Sequence, residues 1–149
     1  MTLLCLTEHP FFKSTVVLKR PAFGNTQTVV RNLMKTAMKG KGKFITIDGP
    51  NGVGKTTIIK ELELKLNELN LAVVFTKEPT SSILGSFIRQ NQNIYASEVL
   101  ACLIAANRYE HLTSFVLPKM QENDLVISDR YIASSLVYQA IDGLDVEFI

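Results

Sequence analysis

The feature that most constrains this chain is a glycine-rich segment that lies between a strand pattern and a helix pattern. Gly49–Thr56 matches GxxxxGK[ST] at every fixed position. The β-branched run Lys43–Asp48 precedes it, and apolar residues with helical spacing follow over Lys55–Leu69. A strand, a glycine loop and a helix in this order form a phosphate-binding loop. The sequence therefore predicts an α/β fold that binds a nucleoside triphosphate.

The residue types in this loop suit its chemistry. Glycines let the backbone wrap a phosphate, and consecutive N–H groups then point at the anion beside the positive end of the helix. The Lys55 ammonium is expected to reach the β- and γ-phosphates of ATP, and the Thr56 hydroxyl is suited to Mg²⁺. The predicted nucleotide site comprises Gly49, Pro50, Asn51, Gly52, Val53, Gly54, Lys55, Thr56 and Thr57.

Composition excludes several classes of protein. The chain has 149 residues, of which 46% are hydrophobic and 20% charged, so it can build the core of one domain. It contains no apolar run of the ~20 residues that a membrane helix needs, so no membrane partner is expected. Its two cysteines, Cys5 and Cys102, exclude a disulfide-dense scaffold and a CxxC metal site. They suit a reducing compartment, and a cytoplasmic location is expected.

Charge divides the chain near Lys43. Residues 1–43 carry eight Lys/Arg and one acid, whereas residues 44–149 carry eight Lys/Arg and thirteen acids. We therefore predict a poorly ordered basic leader over residues 1–42 and an organised domain over 43–149. Within the leader, a short strand over Ser14–Leu18 and a short basic helix over Gln27–Met38 are expected.

Four interpretations of the leader stay open from sequence. It can be a solvated tail, or, because it is rich in basic and hydroxyl residues and poor in acids, an organelle transit peptide or a nucleic-acid-binding segment. It can also lie upstream of a functional start at Met38. This last interpretation is favoured because the organised pattern begins at Lys43, and no nucleic-acid partner is expected.

Two further strands place polar residues at the same edge of a parallel sheet. A strand over Ala72–Phe75 is followed by Glu78, and a strand over Leu125–Ser128 is followed by Asp129 and Arg130. Ligands bind at the carboxyl ends of such strands. An acid at this position can bind the Mg²⁺ beside a phosphate loop, and the arginine can hold a second phosphate. Glu78 can instead be a turn carboxylate with no functional role.

A long helix is expected to begin at Ser97 and to kink or restart at Pro118. One predicted face is its buried stripe of Val99, Leu100, Leu103 and Ala106. A neighbouring face carries Ile104, Asn107, Arg108 and His111. Arg108 can hold a phosphate or a base edge, or lie on the surface, and His111 is expected to be structural or exposed.

With these motifs in order, the chain resembles the thymidylate kinases. The resemblance covers about Lys43 to Ile149, and its most specific part is Asp129–Gln139. It implies a P-loop NTPase-type parallel sheet and transfer of the γ-phosphoryl of ATP to thymidine monophosphate, with Mg²⁺. The catalytic residues that it implies are Lys55, Asp48 and Arg130. The implied metal-binding residues are Thr56 and Asp129.

The same resemblance implies an acceptor site. Its predicted residues are Asp48, Glu78, Arg108, Arg130, Ser135 and Tyr138. Asp48 would lie near the acceptor sugar and the metal, Arg108 would contact the thymine edge, and Arg130 would bind the acceptor phosphate. Tyr138 matches an aromatic that packs near the sugar 2′ position, although its spacing equally suits a buried helix residue.

Several positions depart from the family pattern. Ile104 stands where a phenylalanine commonly stacks on the thymine, which puts base specificity in question. Thr76–Ser81 reads TKEPTS where the family often has TREPGG, and Gly52 stands where some members carry a catalytic arginine. In the family, two more strands and an arginine-rich lid follow the position of Ile149.

These departures lead to expectations about the chain as a whole. We expect three strands, a sheet incomplete at its carboxyl end, and an open edge along Phe44–Asp48 that invites association. Activity is expected to be weak or absent at this length. The alternatives are another small-substrate P-loop kinase, such as a deoxynucleoside kinase, or a non-catalytic nucleotide-binding fragment. A homodimer is possible.

Overall fold

The computed structural model of the protein describes residues 3–5, 42–145 and 147–149. The predicted strand Ser14–Leu18 and helix Gln27–Met38 lie outside these residues. The two helices predicted after the phosphate loop and from Ser97 are present, and a π-helical turn at Leu112–Val116 precedes Pro118. The elements in chain order are β1 (Leu3–Cys5), β2 (Lys43–Asp48), α1 (Lys55–Asn67), β3 (Val73–Lys77), α2 (Ile83–Asn91), α3 (Ser97–His111), α4 (Leu117–Glu122), β4 (Leu125–Asp129) and α5 (Ile132–Ile141).

The sheet has the order β1-β2-β4-β3. Strands β2, β4 and β3 are parallel, which confirms the predicted α/β fold with three parallel strands. Asp129 lies opposite Ile47 on one side and opposite Lys77 on the other. The carboxyl ends of the three strands therefore meet at one edge, above which the loops carry the polar residues.

A short strand from the amino-terminal segment covers part of the β2 edge that was expected to be open. Strand β1 pairs antiparallel with β2, with Leu3 opposite Asp48 and Cys5 opposite Thr46. This pairing satisfies backbone groups at the carboxyl half of β2, next to the phosphate loop. The sequence analysis did not predict this strand, because three residues are too few to show a strand pattern.

The core lies on both faces of the parallel sheet, because successive strand residues point to opposite sides. On one face, Leu62 and Leu66 of α1 are fully buried against Ile45, Ile47, Leu125 and Ile127. On the other face, the buried cluster is Phe44, Val116, Val126 and Tyr131. Burying a side chain of this size contributes roughly 1.5–3 kcal/mol. Helix α1 thus holds the phosphate loop rigidly on the sheet.

The predicted buried stripe of α3 is wrong at two positions. Val99 is 47% exposed and Ala106 is exposed, whereas the buried residues are Ala101, Asn107 and His111. The face of α3 that packs inward carries polar groups, because it contacts the polar segment after β3 rather than an apolar layer. Hydrophobic spacing cannot locate such a face.

Two element boundaries also differ from the sequence prediction. Strand β3 continues through Thr76 to Lys77, and α1 ends at Asn67, which leaves Leu69 exposed. Asn70, three residues after the end of α1, has a φ of 54°, a left-handed conformation that is incompatible with continuing the helix. Within the described residues, no helix is long and apolar enough to cross a membrane.

Starting the chain at Met38 should increase self-association and leave ATP affinity within about two- to threefold. The deletion removes β1 and leaves unpaired N–H and C=O groups along residues 46–48 of β2. Light scattering on the shortened and intact chains measures association, and a nucleotide titration measures affinity. A shortened chain that stays as monomeric as the intact one would show that β1 does not protect this edge.

Candidate active site

The phosphate loop connects β2 to α1 and encloses an anion-sized space. Gly52 and Gly54 have φ values of 78° and 90°, which L side chains rarely adopt. Lys55 is only 7% exposed, and its Nζ donates to the Pro50 carbonyl at 2.7 Å, which braces the loop from within. A cavity of about 450 Å³ is lined by Asn51, Gly52, Gly54, Lys55, Thr56, Asp129 and Arg130.

The remaining predicted loop residues face solvent or support the turn. Val53 is 37% exposed, and Thr57 is exposed in the first turn of α1. The Gly49 carbonyl accepts a hydrogen bond from the Arg130 side chain. Thr56, also exposed, lines the cavity at the start of the helix, where backbone N–H groups favour an anion.

Two carboxylates lie beside this cavity, and each has one oxygen without a partner. The buried Asp48 Oδ1 accepts from Tyr131 N and Ser134 N at 3.0 Å and from Ser134 Oγ at 2.6 Å. Asp48 Oδ2 and Asp129 Oδ1 are buried, with no hydrogen-bond partner in the described part of the chain. Unpartnered carboxylate oxygens are the hard ligands that Mg²⁺ prefers, so these residues fit a magnesium site.

The electrostatics of Asp129 reflect this position. Burial raises the pKa of its carboxyl above the ordinary value of 3.8, while the positive charges of Lys55 and Arg130 oppose the rise and Asp48 adds to it.

No group of three or more His, Cys, Asp or Glu residues in the described ranges could hold a metal by itself. Mg²⁺ commonly completes its octahedron with water and substrate phosphates, so two carboxylates and a hydroxyl suffice.

Arg130 forms the wall between the loop cavity and a second cavity. Its φ is 74°, an unusual left-handed value for arginine, and its backbone N–H donates to Ile47 O. The guanidinium donates to Gly49 O at 3.2 Å and to Asn51 Oδ1 at 2.5 Å, and it lies over the Tyr138 ring at 5.4 Å. A single cation therefore touches the phosphate loop and the neighbouring pocket at once.

The second cavity has a volume of about 470 Å³ and gathers the predicted acceptor residues. Glu78, Arg108, Arg130, Ser135 and Tyr138 all line it. Its apolar wall is Ile88, Leu100 and Ile104. Ile104 stands where the family commonly has a stacking phenylalanine, so that position does line this cavity. The sixth predicted residue, Asp48, does not line it, because its carboxylate is turned toward the amino end of α5.

A buried ion pair shapes one side of this cavity. Arg108 Nε donates to Glu78 Oε2 at 3.0 Å, and Arg108 Nη2 donates to Ser135 Oγ at 2.6 Å. The guanidinium lies 5.2 Å from the centre of the Tyr131 ring. Burial, with a further contribution from the Glu78 carboxylate, raises the pKa of Tyr131 to about 12. Glu78 is therefore a buried ionic group and more than a turn carboxylate.

Three polar residues at the site were not among the predicted site residues, although the structural place of His111 is one of the two outcomes expected for it. Asn107 Oδ1 accepts from Thr80 N at 3.0 Å, and the buried His111 bonds to Glu78 and Thr76. The i, i+1, i+4 spacing of Asn107, Arg108 and His111 was the one feature of the sequence that indicated a shared polar face. Gln139 is 4% exposed, lines the second cavity, and its Nε2 lacks a partner among the described residues.

A third cavity, of about 610 Å³, is lined by residues of β3, α1 and α3, among them Thr76 and His111. It meets the phosphate-loop cavity at Thr56 and Asp129, which line both. Glu78 lines the second cavity and not this one, whereas its partner His111 lines this one.

Replacing Asp129 with asparagine should raise the melting temperature of the nucleotide-free protein at neutral pH by about 2–4 °C. The raised pKa means that folding disfavours the carboxylate; this cost is absent below pH 3.8 and complete above the folded-state pKa. The gain should therefore vanish below about pH 4. Thermal melts of both proteins across pH provide the test, and a lower neutral-pH melting temperature for Asp129→Asn would contradict it.

Comparison with known proteins agrees with this geometry. The sequence model of the thymidylate kinase family matches residues 47–149. The chain is 39% identical over 117 residues to a probable thymidylate kinase of Pyrococcus horikoshii, which covers 73% of this chain and 57% of that protein. It is 42% identical over 104 residues to a thymidylate kinase of Clostridium novyi, covering 66% and 51%. The chain spans about half the length of these curated relatives.

A solved structure shares the fold. The crystal structure of thymidylate kinase from Ehrlichia chaffeensis matches with a TM-score of 0.65 and 31% identity, over 72% of this chain and 62% of that one. The family match covers more than half of the chain and includes the loop, both carboxylates and the second cavity. On these grounds the chain belongs to the thymidylate kinase family.

Proposed function

We propose that this protein transfers the γ-phosphoryl group of ATP to the 5′-phosphate of thymidine monophosphate. The observation that carries the proposal is the shared wall between two cavities. The phosphate-loop cavity and the base-sized cavity meet at Asn51 and Arg130, which line both. Two phosphate groups bound on either side of this wall would face each other, as direct transfer between them requires.

The donor side is assigned to the phosphate loop. Lys55 Nζ gives one hydrogen to Pro50 O and retains two more for the β- and γ-phosphate oxygens. Backbone N–H groups of the loop and the first turn of α1 bind the same phosphates. Because Lys55 is buried at its base, its charge is held in place and little reorganisation is needed when the transition state forms.

Mg²⁺ is assigned to Thr56, to Asp129 Oδ1 and to Asp48 Oδ2. The two buried carboxylate oxygens without partners support this assignment. When bound, the ion neutralises charge on the phosphates and orients them. Asp48 also supports the amino end of α5 through its other oxygen, which keeps the metal side and the acceptor side in one rigid arrangement.

The acceptor nucleotide is assigned to the second cavity. Arg130 binds its phosphate, and the apolar wall that includes Ile104 receives the base. Arg108, Ser135 and Gln139 present donors and acceptors to the base edge, with Gln139 Nε2 as an unsatisfied donor. Glu78 holds Arg108 by an ion pair and closes the cavity floor.

The chemistry is a displacement at phosphorus. An oxygen of the acceptor phosphate forms a bond to the γ-phosphorus as the bond from that phosphorus to the bridging oxygen of ADP breaks. The products are ADP and thymidine diphosphate, and no protein atom forms a covalent bond. The side chains contribute position and positive charge, which is the main requirement of phosphoryl transfer.

Assaying ADP release with thymidine monophosphate and with thymidine separates this proposal from a deoxynucleoside kinase. We expect ADP release with the monophosphate, weak at this chain length, and none above background with the nucleoside, because the nucleoside has no phosphate for Arg130 to bind. Preferential turnover of thymidine would overturn the proposal. A cytoplasmic location, expected from the cysteine content, and a homodimer stay predictions.

Changing Lys55 to alanine should lower kcat by roughly 100-fold or more, because the positive charge that stabilises the transferring phosphoryl group is lost. Lys60→Ala is the matched control, since Lys60 is an exposed lysine on the same helix. Steady-state ADP release measures both. Turnover of the Lys55 variant close to that of the control would remove the phosphate loop from the mechanism.

Changing Arg130 to alanine should raise the KM for thymidine monophosphate by roughly 10- to 100-fold, the effect of losing a charge-assisted contact. The KM for ATP should rise less, through loosening of the loop at Gly49 and Asn51. Lys119→Ala, which removes an exposed cation, serves as the control. Equal effects on the two substrates would show that Arg130 is not an acceptor group.

A further inference from the structure

His111 lies at the start of a buried chain of polar contacts that ends at the acceptor cavity. It is 2% exposed, on the inward face of α3. Its Nδ1 lies 3.0 Å from Glu78 Oε1, and its Nε2 lies 2.8 Å from Thr76 Oγ1. The ring stacks on Phe115, with centroids 5.9 Å apart and an interplanar angle of 28°. These contacts hold the imidazole from both nitrogens and from one face.

Glu78 divides its two oxygens between two residues of α3. Oε1 is held by His111 and Oε2 by Arg108, each at 3.0 Å, and the side chain is 6% exposed. Removing the contact at Oε1 would leave a buried carboxylate oxygen without a donor, a costly state that favours rotation of the carboxyl group. Such a rotation would also move the oxygen that holds Arg108.

The position of the Glu78 carboxylate determines how the Arg108 guanidinium lies in the cavity. Its Nε is held by Glu78 and its Nη2 by Ser135. The guanidinium is planar, so fixing two of its nitrogens fixes the direction of the third. Nη1 has no hydrogen-bond partner among the described residues, which leaves it for a ligand in the cavity that Arg108 lines.

A neutral His111 imidazole can make both of its hydrogen bonds, one as a donor and one as an acceptor. Nδ1–H donates to the Glu78 carboxylate, which can only accept, and Nε2 accepts from the Thr76 hydroxyl. The tautomer follows from these partners. His111 lines the third cavity and does not line the acceptor cavity, so its contact with Glu78, which does line the acceptor cavity, links it to that space.

From these contacts we infer that His111 is a positioning residue for acceptor recognition. Its Nδ1 fixes Glu78, Glu78 fixes the Arg108 fork, and Arg108 Nη1 then meets the acceptor base at a set angle. The inference rests on the proposed function in naming the acceptor as thymidine monophosphate. The hydrogen bond at Nδ1 carries the effect, and the hydrogen bond at Nε2 serves only to hold the ring.

Two substitutions at His111 separate the roles of its nitrogens. The amide nitrogen of His111→Asn falls near the place of Nδ1, and that of His111→Gln falls near the place of Nε2. We expect His111→Gln to raise the KM for thymidine monophosphate roughly tenfold, with the KM for ATP unchanged. His111→Asn should stay within about threefold of wild type, as should Thr76→Val, which removes only the Nε2 partner.

Melting temperatures control for loss of structure. If both His111 variants are destabilised alike but only His111→Gln loses acceptor affinity, the effect is positional. Equal KM values for the two variants, or a parallel loss for both substrates, would overturn the inference. Loss of acceptor affinity in Thr76→Val equal to that in His111→Gln would also overturn it, since Nε2 would then carry the effect.

A spectroscopic measurement keeps this test separate from the proposed function. The Arg108 Nε–H resonance in ¹⁵N spectra of the ligand-free protein reports its bond to Glu78. We expect this resonance to move or broaden in His111→Gln and to be retained in His111→Asn. An unmoved resonance in His111→Gln overturns the positioning role whatever the substrate. The resonance could also move in His111→Gln while the wild-type protein fails to phosphorylate thymidine monophosphate. That result would overturn only the proposed function and the identity of the acceptor.

Discussion

The carboxylate of Asp48 joins the two halves of the site, and the rest of the arrangement depends on it. Asp48 ends β2 immediately before the phosphate loop, and its Oδ1 accepts three hydrogen bonds from Tyr131 and Ser134 at the start of α5. Bonds to a charged acceptor stabilise by roughly 1.5–3 kcal/mol each. They bring the phosphate loop and the segment that lines the second cavity to within one side chain of each other. Arg130 lies in that gap and touches Gly49 and Asn51 across it.

The polar inward face of α3 is the second requirement of the site, and it conflicts with ordinary core packing. A helix of 15 residues would normally bury apolar side chains against a sheet. Here Asn107, Arg108 and His111 face the end of β3 and the segment that follows it, and they contact Thr80, Glu78 and Thr76 in turn. One side of the second cavity is therefore held by paired, buried polar groups instead of apolar packing. Burial likewise disfavours the carboxylate of Asp129 beside the phosphate loop.

Sequence reasoning succeeded wherever function rests on a local pattern. The loop, its flanking strand over Lys43–Asp48 and the polar ends of β3 and β4 were all predictable, because period, glycine spacing and strand ends are local features. It failed where the partner of a residue lies far along the chain. The burial of His111 depends on Glu78, 33 positions away, and the pairing of β1 with β2 joins Leu3 to Asp48. Neither contact leaves a periodic signal in its own segment.

What the sequence determined by itself is the chemistry available: a phosphate loop with one lysine, two acids at strand ends, and an arginine after the second of them. Those features depend on backbone conformation within a few residues, which glycine, β-branched residues and helix-forming residues dictate locally. The tertiary structure decided which buried polar atoms of the described residues stay unpartnered, that Arg130 lines two cavities, and that Gln139 lines one of them. These properties arise from the burial of polar groups between elements distant in sequence, where the identity of the neighbour decides the outcome. Local patterns predict the groups, and packing decides which of them are left free to bind.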